Sequence, residues 1–180
     1  MQADIDRILI ESDRIAARVE EMGDELARTY GEAERGVTIV CVLSGAIIFV
    51  ADLIRRLPIK MNIGLVTVSS YPGKTTASQG ATLLEPMDVD VAGRHVLVVD
   101  DILDSGNTLR TVQAELNRQG PASLRTCVLL RKADKAPDDV RVDMVGFDID
   151  DVFVVGYGLD YGGHYRNYPH IAVLKPHLYD

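Results

Sequence analysis

Hydrophobic positions along this chain follow two repeating patterns, and the order in which they alternate predicts an architecture. Residues 11–30, ESDRIAARVEEMGDELARTY, set Ile15, Val19, Met22 and Leu26 three and four apart, the spacing of one buried helical face. Ser12 or Asp13 is placed to cap this helix and Gly31 to end it. VTIVCVL at 37–43 is apolar throughout and rich in β-branched residues, as expected of a strand covered on both faces. Ser44-Gly45 breaks that run, and AIIFVADLIRRL resumes helical spacing until Pro58. GLVTVSS at 64–70 and HVLVVDDI at 95–102 are further strand candidates. Between and beyond them, NTLRTVQAELNRQG predicts a helix with Leu109, Val112 and Leu116 on one side. Four more strand candidates, LRTCVLL, MVGFDI, VFVVGYG and IAVLK, crowd the last third with little helix between them.

Strands alternating with helices predict an α/β fold with a mostly parallel, doubly wound sheet, in which ligands gather beyond the carboxyl ends of the strands. Three segments converge there: LSGA at 43–46, DDILDSGNT at 100–108, and the loop after Val68. That loop, YPGKTTASQGATLL, is rich in Gly, Ser and Thr. Loops of such length in compact domains are usually functional or disordered, so it is expected to be exposed and mobile. No internal repeat or domain boundary interrupts the 180 residues, a length that one domain fills with an adequate core.

Charge and cysteines narrow the class. A net charge of −8 argues against a nucleic-acid surface, whose affinity rests on Lys and Arg neutralising phosphates. Cys41 and Cys127 each lie in an apolar run without metal-ligand spacing and are expected to be reduced core residues. The acidic N-terminus lacks a secretory h-region, and no apolar run is long enough to span a bilayer. A cytoplasmic protein with no membrane partner is the expectation.

The chemistry concentrates at 96–109, VLVVDDILDSGNTL. A turn between a strand and a helix offers backbone N–H groups without intrahelical partners at the positive end of the helix dipole, which suits a phosphate. Gly106 permits close approach, and the hydroxyls of Ser105 and Thr108 can donate. The competing reading is ordinary capping by Asp104 or Ser105. Capping leaves Asp100 and Asp101 unexplained, since they end an apolar strand at the face where sites occur. Adjacent strand residues point to opposite sides, so at least one of the two is expected in the cleft. Carboxylates accept hydrogen bonds from sugar hydroxyls and ligate Mg2+. A phosphorylated sugar therefore fits better than a bare phosphate.

This stretch resembles the phosphoribosyl-diphosphate-binding signature of type I phosphoribosyltransferases. SSYPGKTTASQG (69–80) looks like the mobile catalytic loop of their hypoxanthine-guanine branch. LLRK and VGFDIDDVFVVGYGLDYGGHYRNYPHIAVL resemble that branch's purine pocket and C-terminal region. The likeness runs from about Ile15 to Leu174. It implies a single domain over 1–180 with a central mostly parallel sheet and a small hood formed by terminal segments. The catalytic loop would lie at about 69–82 and the purine-binding region at about 131–176.

The resemblance also implies roles. Asp100 and Asp101 would face the ribose hydroxyls and, with Asp160, the metal ion, Mg2+. Asp104 would be the acid/base near purine N7, and Ser105, Gly106, Asn107 and Thr108 would hold the 5′-phosphate. Lys132 would bond the 6-oxo group of a 6-oxopurine, Phe153 would stack on the base, and Val154 would offer backbone contacts. Ser44, Gly45 and Arg166 would bind pyrophosphate, and Ser69, Ser70 and Tyr71 belong to the loop. A strained peptide in LSGA is a further family feature, with the cis form open at this level. Asp104, taken as buried beside other acids, is expected to have a raised pKa.

The implied activity is purine salvage: Mg2+-dependent transfer of the phosphoribosyl group from phosphoribosyl diphosphate to N9 of hypoxanthine, and of guanine, by a homodimer or homotetramer. A nucleotide-sensing regulator on the same fold and a xanthine-preferring enzyme are the alternatives. Taken alone, Lys132 would be a solvated strand-end residue like Arg131, and Phe153 a core residue. Two positions depart from the branch pattern: Ser44 replaces a common Lys or Arg, leaving pyrophosphate contact to backbone N–H groups, and Gly64 stands where relatives have an acid.

Overall fold

The computed structural model describes residues 1–31, 33, 36–69, 82–83 and 89–178. Strand β1 (Ile5–Ile10) leads into helix α1 (Ser12–Tyr30), then β2 (Val37–Leu43), α2 (Ile47–Ile54), β3 (Met61–Ser69) and a short β4 (Thr82–Leu83). After these come β5 (His95–Leu103), α3 (Asn107–Arg118), β6 (Ser123–Lys132), β7 (Met144–Ile149), β8 (Val154–Val155) and β9 (Ile171–Leu174).

The main sheet has the order β4-β3-β2-β5-β6-β7, and the five strands from β3 to β7 are parallel. α1 and α2 cover one face, packing Ile15, Met22, Phe49 and Leu53 against Ile39, Leu97 and Leu129. α3 covers the other, packing Leu109, Val112 and Leu116 against Val40, Val96 and Val98. The three-stranded sheet β1-β9-β8 is the expected hood of terminal segments.

Local departures from the expected elements have identifiable causes. β1 escapes a period-two reading because its pairing with β9 shifts register twice, between Ile5 and Arg7 and between Ile8 and Ile10. Neither Ser12 nor Asp13 caps α1. Glu11 holds that position without a side-chain bond, and the free Ser12 N–H donates to His170 Nδ1 at 3.0 Å. VFVVGYG yields only a two-residue strand, because Gly156, Tyr157 and Gly158 follow with φ of 98°, 50° and 104°. Gly64 lies against Val89, whose Cγ1 a Cβ there would meet at 2.7 Å, so a larger side chain at this position would have to displace Val89.

A crease runs across three neighbouring strands. In β5, Leu97 and Val99 face the α1/α2 layer and Val96 and Val98 the α3 layer, yet Ile102 returns to the first layer and Leu103 to the second. The alternation therefore slips by one residue across Asp100-Asp101. The same slip occurs at Leu129, which shares the α1/α2 layer with Leu130, and at Gly146, between Met144 and Phe147 of that layer. On the edge strand β7, the Arg18 guanidinium of α1 binds the carbonyls at the crease, Gly146 O at 3.0 Å and Val145 O at 2.9 Å.

Candidate active site

The carboxyl ends of β2 and β5 open into a cavity of about 370 Å3, lined by Ser44, Gly45, Asp100, Asp101, Asp104 through Thr108, Asp160 and Arg166. Most residues singled out in the sequence are thus brought together. The crease explains why both Asp100 and Asp101 reach the cavity, where strict alternation would send one away. Asp100 is 4% exposed, and its Oδ1 accepts the Asp101 N–H at 2.9 Å. Asp101 Oδ1 accepts the Ile102 N–H at 2.8 Å.

Burial first, and then the Asp101 charge, push the Asp100 carboxyl well above the ordinary range. Burial also raises Asp101, against hydrogen bonds from Asp100 and the Ile102 N–H and the charge of Arg166. Behind them the buried Cys41 thiol is pushed up to about 11 by burial and by both aspartates. Two adjacent carboxylates held at such cost form a strong cation-seeking centre.

The turn after β5 favours the anion-cradle reading over capping. Gly106 is the N-cap of α3 in the left-handed conformation, φ 75°, and no side chain caps that helix. A Cβ there would meet Pro137 Cγ at 2.6 Å and Val140 Cγ2 at 2.9 Å, so only glycine fits beneath the cradle. Freed from capping, Asp104 turns to cations: Lys132 Nζ lies 3.1 Å from Oδ2 and Lys135 Nζ 2.8 Å from Oδ1. Its Oδ1 is buried, but its neighbours are ammonium groups rather than the expected acids, and the side chain as a whole is 37% exposed.

Lys132 is 7% exposed and also binds Asp151 Oδ1 at 2.7 Å. Arg131, by contrast, points outward to Asp148 in a bidentate pair at 2.6 and 3.0 Å. Phe153 does not line the cavity. Its ring meets Tyr161 edge to face at 5.5 Å, while Val154 is buried in β8. Asp160 accepts from the Gly163 N–H at 2.7 Å and pairs with Arg166 at 2.8 Å, and Arg166 also donates to Gly158 O at 2.7 Å.

The Leu43–Ser44 peptide is cis. Gly45 fits against the Asp101 carboxylate, and Gly158 against the Gly45 carbonyl, so closely that a Cβ on either would overlap its neighbour. Ser69 lies at the end of β3, while Ser70 and Tyr71, with nearly all of the expected catalytic loop, fall outside the described residues.

Among the described residues no group of three or more His, Cys, Asp or Glu gathers to hold a metal. The Asp100-Asp101 pair nonetheless fits Mg2+, which typically takes one or two protein carboxylates and completes its shell with water and substrate phosphates. Sequence reasoning missed Asp151, Lys135 and the Tyr157–Asp52 hydrogen bond. Lys135 and Asp151 lie in polar segments without a periodic signal and Tyr157 between two glycines, while Asp52 sits in the apolar helix α2.

The phosphoribosyl transferase domain model matches residues 8–162. The chain belongs to the phosphoribosyl transferase family. Among its relatives, the hypoxanthine-guanine phosphoribosyltransferase of Mycobacterium tuberculosis is 40% identical over 98% of this chain and 89% of its own. That of Bacillus subtilis is 38% identical over 100% and 99%. A crystal structure of a hypoxanthine phosphoribosyltransferase from Staphylococcus aureus superposes with a TM-score of 0.91, at 34% identity over 100% of this chain and 97% of that one. This phosphoribosyltransferase thus has the type I architecture over its described length, and no helix among its described residues is long and apolar enough to cross a membrane.

Proposed function

We propose that this phosphoribosyltransferase transfers the 5-phosphoribosyl group of phosphoribosyl diphosphate to N9 of hypoxanthine, and of guanine, releasing pyrophosphate and giving IMP or GMP. The observation that carries this reading is one cavity with two opposed halves. An uncapped helix N-terminus at Ser105 through Thr108 suits the 5′-phosphate, and a buried pair of aspartates stands beside it. Carboxylates next to an anion site make sense if a cationic sugar forms between them, since breaking the anomeric bond builds positive charge on the ribose.

Asp100 and Asp101 hold the ribose hydroxyls, and together with Asp160 they are the residues that would hold Mg2+. When bound, Mg2+ neutralises charge on the diphosphate. Arg166 and the backbone N–H groups of Ser44 and Gly45 receive the departing pyrophosphate. Lys132 donates to the 6-oxo group, Phe153 stacks on the base, and Val154 offers its backbone. Asp104 takes the proton from N7 while N9 attacks. Ser69, Ser70 and Tyr71 belong to the closing loop of about 69–82, and the purine-binding part runs over about 131–176 of a single domain.

The relatives named above support this reading, as does a structurally similar Trypanosoma cruzi hypoxanthine phosphoribosyltransferase in complex with its product IMP, with a TM-score of 0.88 at 32% identity. The two free, buried cysteines suit a reducing cytoplasm. Ile63 and Leu65, 49% and 61% exposed on one face of β3, offer an apolar surface for a second copy in a homodimer or homotetramer, which a sedimentation measurement tests.

The deciding experiment incubates the protein with Mg2+, phosphoribosyl diphosphate and each of hypoxanthine, guanine, xanthine, adenine and uracil, with and without chelator. IMP and GMP formation that chelator abolishes is the expected result. Preference for xanthine would revise the base, and absence of any nucleotide would favour a regulator.

A further inference from the structure

We propose that Lys135 is a positioning residue for Asp104, holding one oxygen of that carboxylate in place while Lys132 gives up the other to the incoming base. This inference rests on the function proposed above. Asp104 has two oxygens, and each carries one ammonium group: Oδ1 faces Lys135 at 2.8 Å and Oδ2 faces Lys132 at 3.1 Å. With both in place, each oxygen of the carboxylate already faces a cation. Lys132 has another task in the reaction, because its ammonium is the donor for the 6-oxo group. As it turns to the base, Oδ2 is left open, and Lys135 stays on Oδ1.

The chain fixes Lys135 for this work. The Lys135 and Ala136 N–H groups both donate to Lys132 O, at 3.0 and 2.8 Å, closing a tight turn directly after β6. Pro137 then packs against Gly106 under the phosphate cradle, so the turn is docked onto the same segment that carries Asp104. The charged groups around Asp104 are Lys132 and Lys135 of this turn and Asp151 from the β7–β8 connection, which lies 2.7 Å from Lys132 and 3.6 Å from Lys135. The Asp104 carboxylate is the largest influence raising the Lys135 pKa.

In the reaction, the purine N7–H bond breaks and its proton goes to Asp104 Oδ2. The electron pair left on the ring supports attack of N9 on the anomeric carbon, whose bond to oxygen breaks with both electrons leaving on pyrophosphate. Lys135 keeps Asp104 aimed until that moment.

Lys135 is 44% exposed, so its replacement leaves the core intact. The test compares K135M and K135R with wild type in steady-state IMP synthesis. For K135M, kcat is expected to fall roughly tenfold, a fraction of the ~10²–10⁴ that a general base contributes, with KM for phosphoribosyl diphosphate unchanged. K135R restores most of the lost kcat. Wild-type kcat in K135M, or equal loss in K135M and K135R, would overturn the inference while wild type remains active. An inactive wild type would overturn the proposed function as well.

Discussion

Replacing Tyr157 by Phe removes one hydroxyl and tests how the active site is braced. That hydroxyl donates to Asp52 Oδ2 at 2.6 Å, tying the loop before Asp160 to helix α2. A hydrogen bond to a charged acceptor contributes about 1.5–3 kcal/mol. The lower end applies here, because Asp52 is 35% exposed and keeps Arg55 as a partner, so water replaces the lost donor. A loss of about 1.5 kcal/mol corresponds to a Tm lower by about 3–6 °C in a chain of this length.

The effect should also depend on pH. Burial, the hydrogen bond to Asp52 and its charge together raise the Tyr157 pKa above its ordinary 10.0. A folded-state value above the unfolded one stabilises fully below about pH 10 and is lost as pH rises through the folded value. The Tm gap between wild type and Tyr157→Phe is therefore constant at pH 7–9 and narrows in more alkaline solution. Kinetically, Gly158 sits against the Gly45 carbonyl, so a loosened loop disturbs the pyrophosphate side first. KM for phosphoribosyl diphosphate should rise roughly three- to tenfold, less than the ~10²-fold that a 1 Å misplacement can cost, with KM for hypoxanthine changed less. Calorimetry across pH and initial-rate kinetics check both parts. A Tm within 1 °C of wild type at neutral pH, as a rough threshold, together with unchanged kinetic constants, would refute the brace.

Two further substitutions probe the cation-seeking centre. Asp100 is raised by burial and by Asp101, so without divalent cation the wild type gains stability as pH falls from the raised folded value toward the unfolded 3.8. Asp100→Asn removes that dependence, and near pH 8 it should be more stable than wild type by about 1–3 kcal/mol, the usual penalty for an uncompensated buried polar group; melts in EDTA that show no difference would count against this. Gly45→Ala would press a methyl into the Asp101 carboxylate, an overpacking cost of about 1–3 kcal/mol. The expected outcome is a kcat/KM lower by roughly 10- to 100-fold with an unaltered circular dichroism spectrum, and full activity would show that the contact yields easily.

Elements with strong periodicity were legible in the sequence. α1 and α3 bury Ile15, Val19 and Met22, and Leu109, Val112 and Leu116, the residues their spacing selects, and the five parallel strands follow the apolar runs. β1 was hidden because its register shifts scramble the alternation. At the site, Asp100, Asp101, Asp104 and Arg166 could be picked out as polar residues at strand ends or in a matching motif. Lys135 could not, because it acts from a turn that folds back on Lys132, a return that nothing in RKADKAPDD specifies, and Asp151 reaches Lys132 from the separate β7–β8 connection. The bond between Tyr157 and Asp52 spans 105 positions, beyond the reach of any local pattern.

The crease also decides between two neighbouring cations. Before it, odd-numbered residues of β6 such as Cys127 face the α1/α2 layer; after Leu129, even-numbered ones such as Leu130 do. Lys132 inherits that shifted phase and turns inward, while Arg131 falls to the outside with Asp148. Had the strand kept its original phase, a permanently charged, planar guanidinium would stand at Asp104 in place of a compact ammonium on a flexible stem. The choice of headgroup beside Asp104 is therefore made three residues upstream, by a half-step in the pleat shared among three strands. Exchanging the letters at 131 and 132 would alter the chemistry there, but only removing the half-step would exchange the positions themselves.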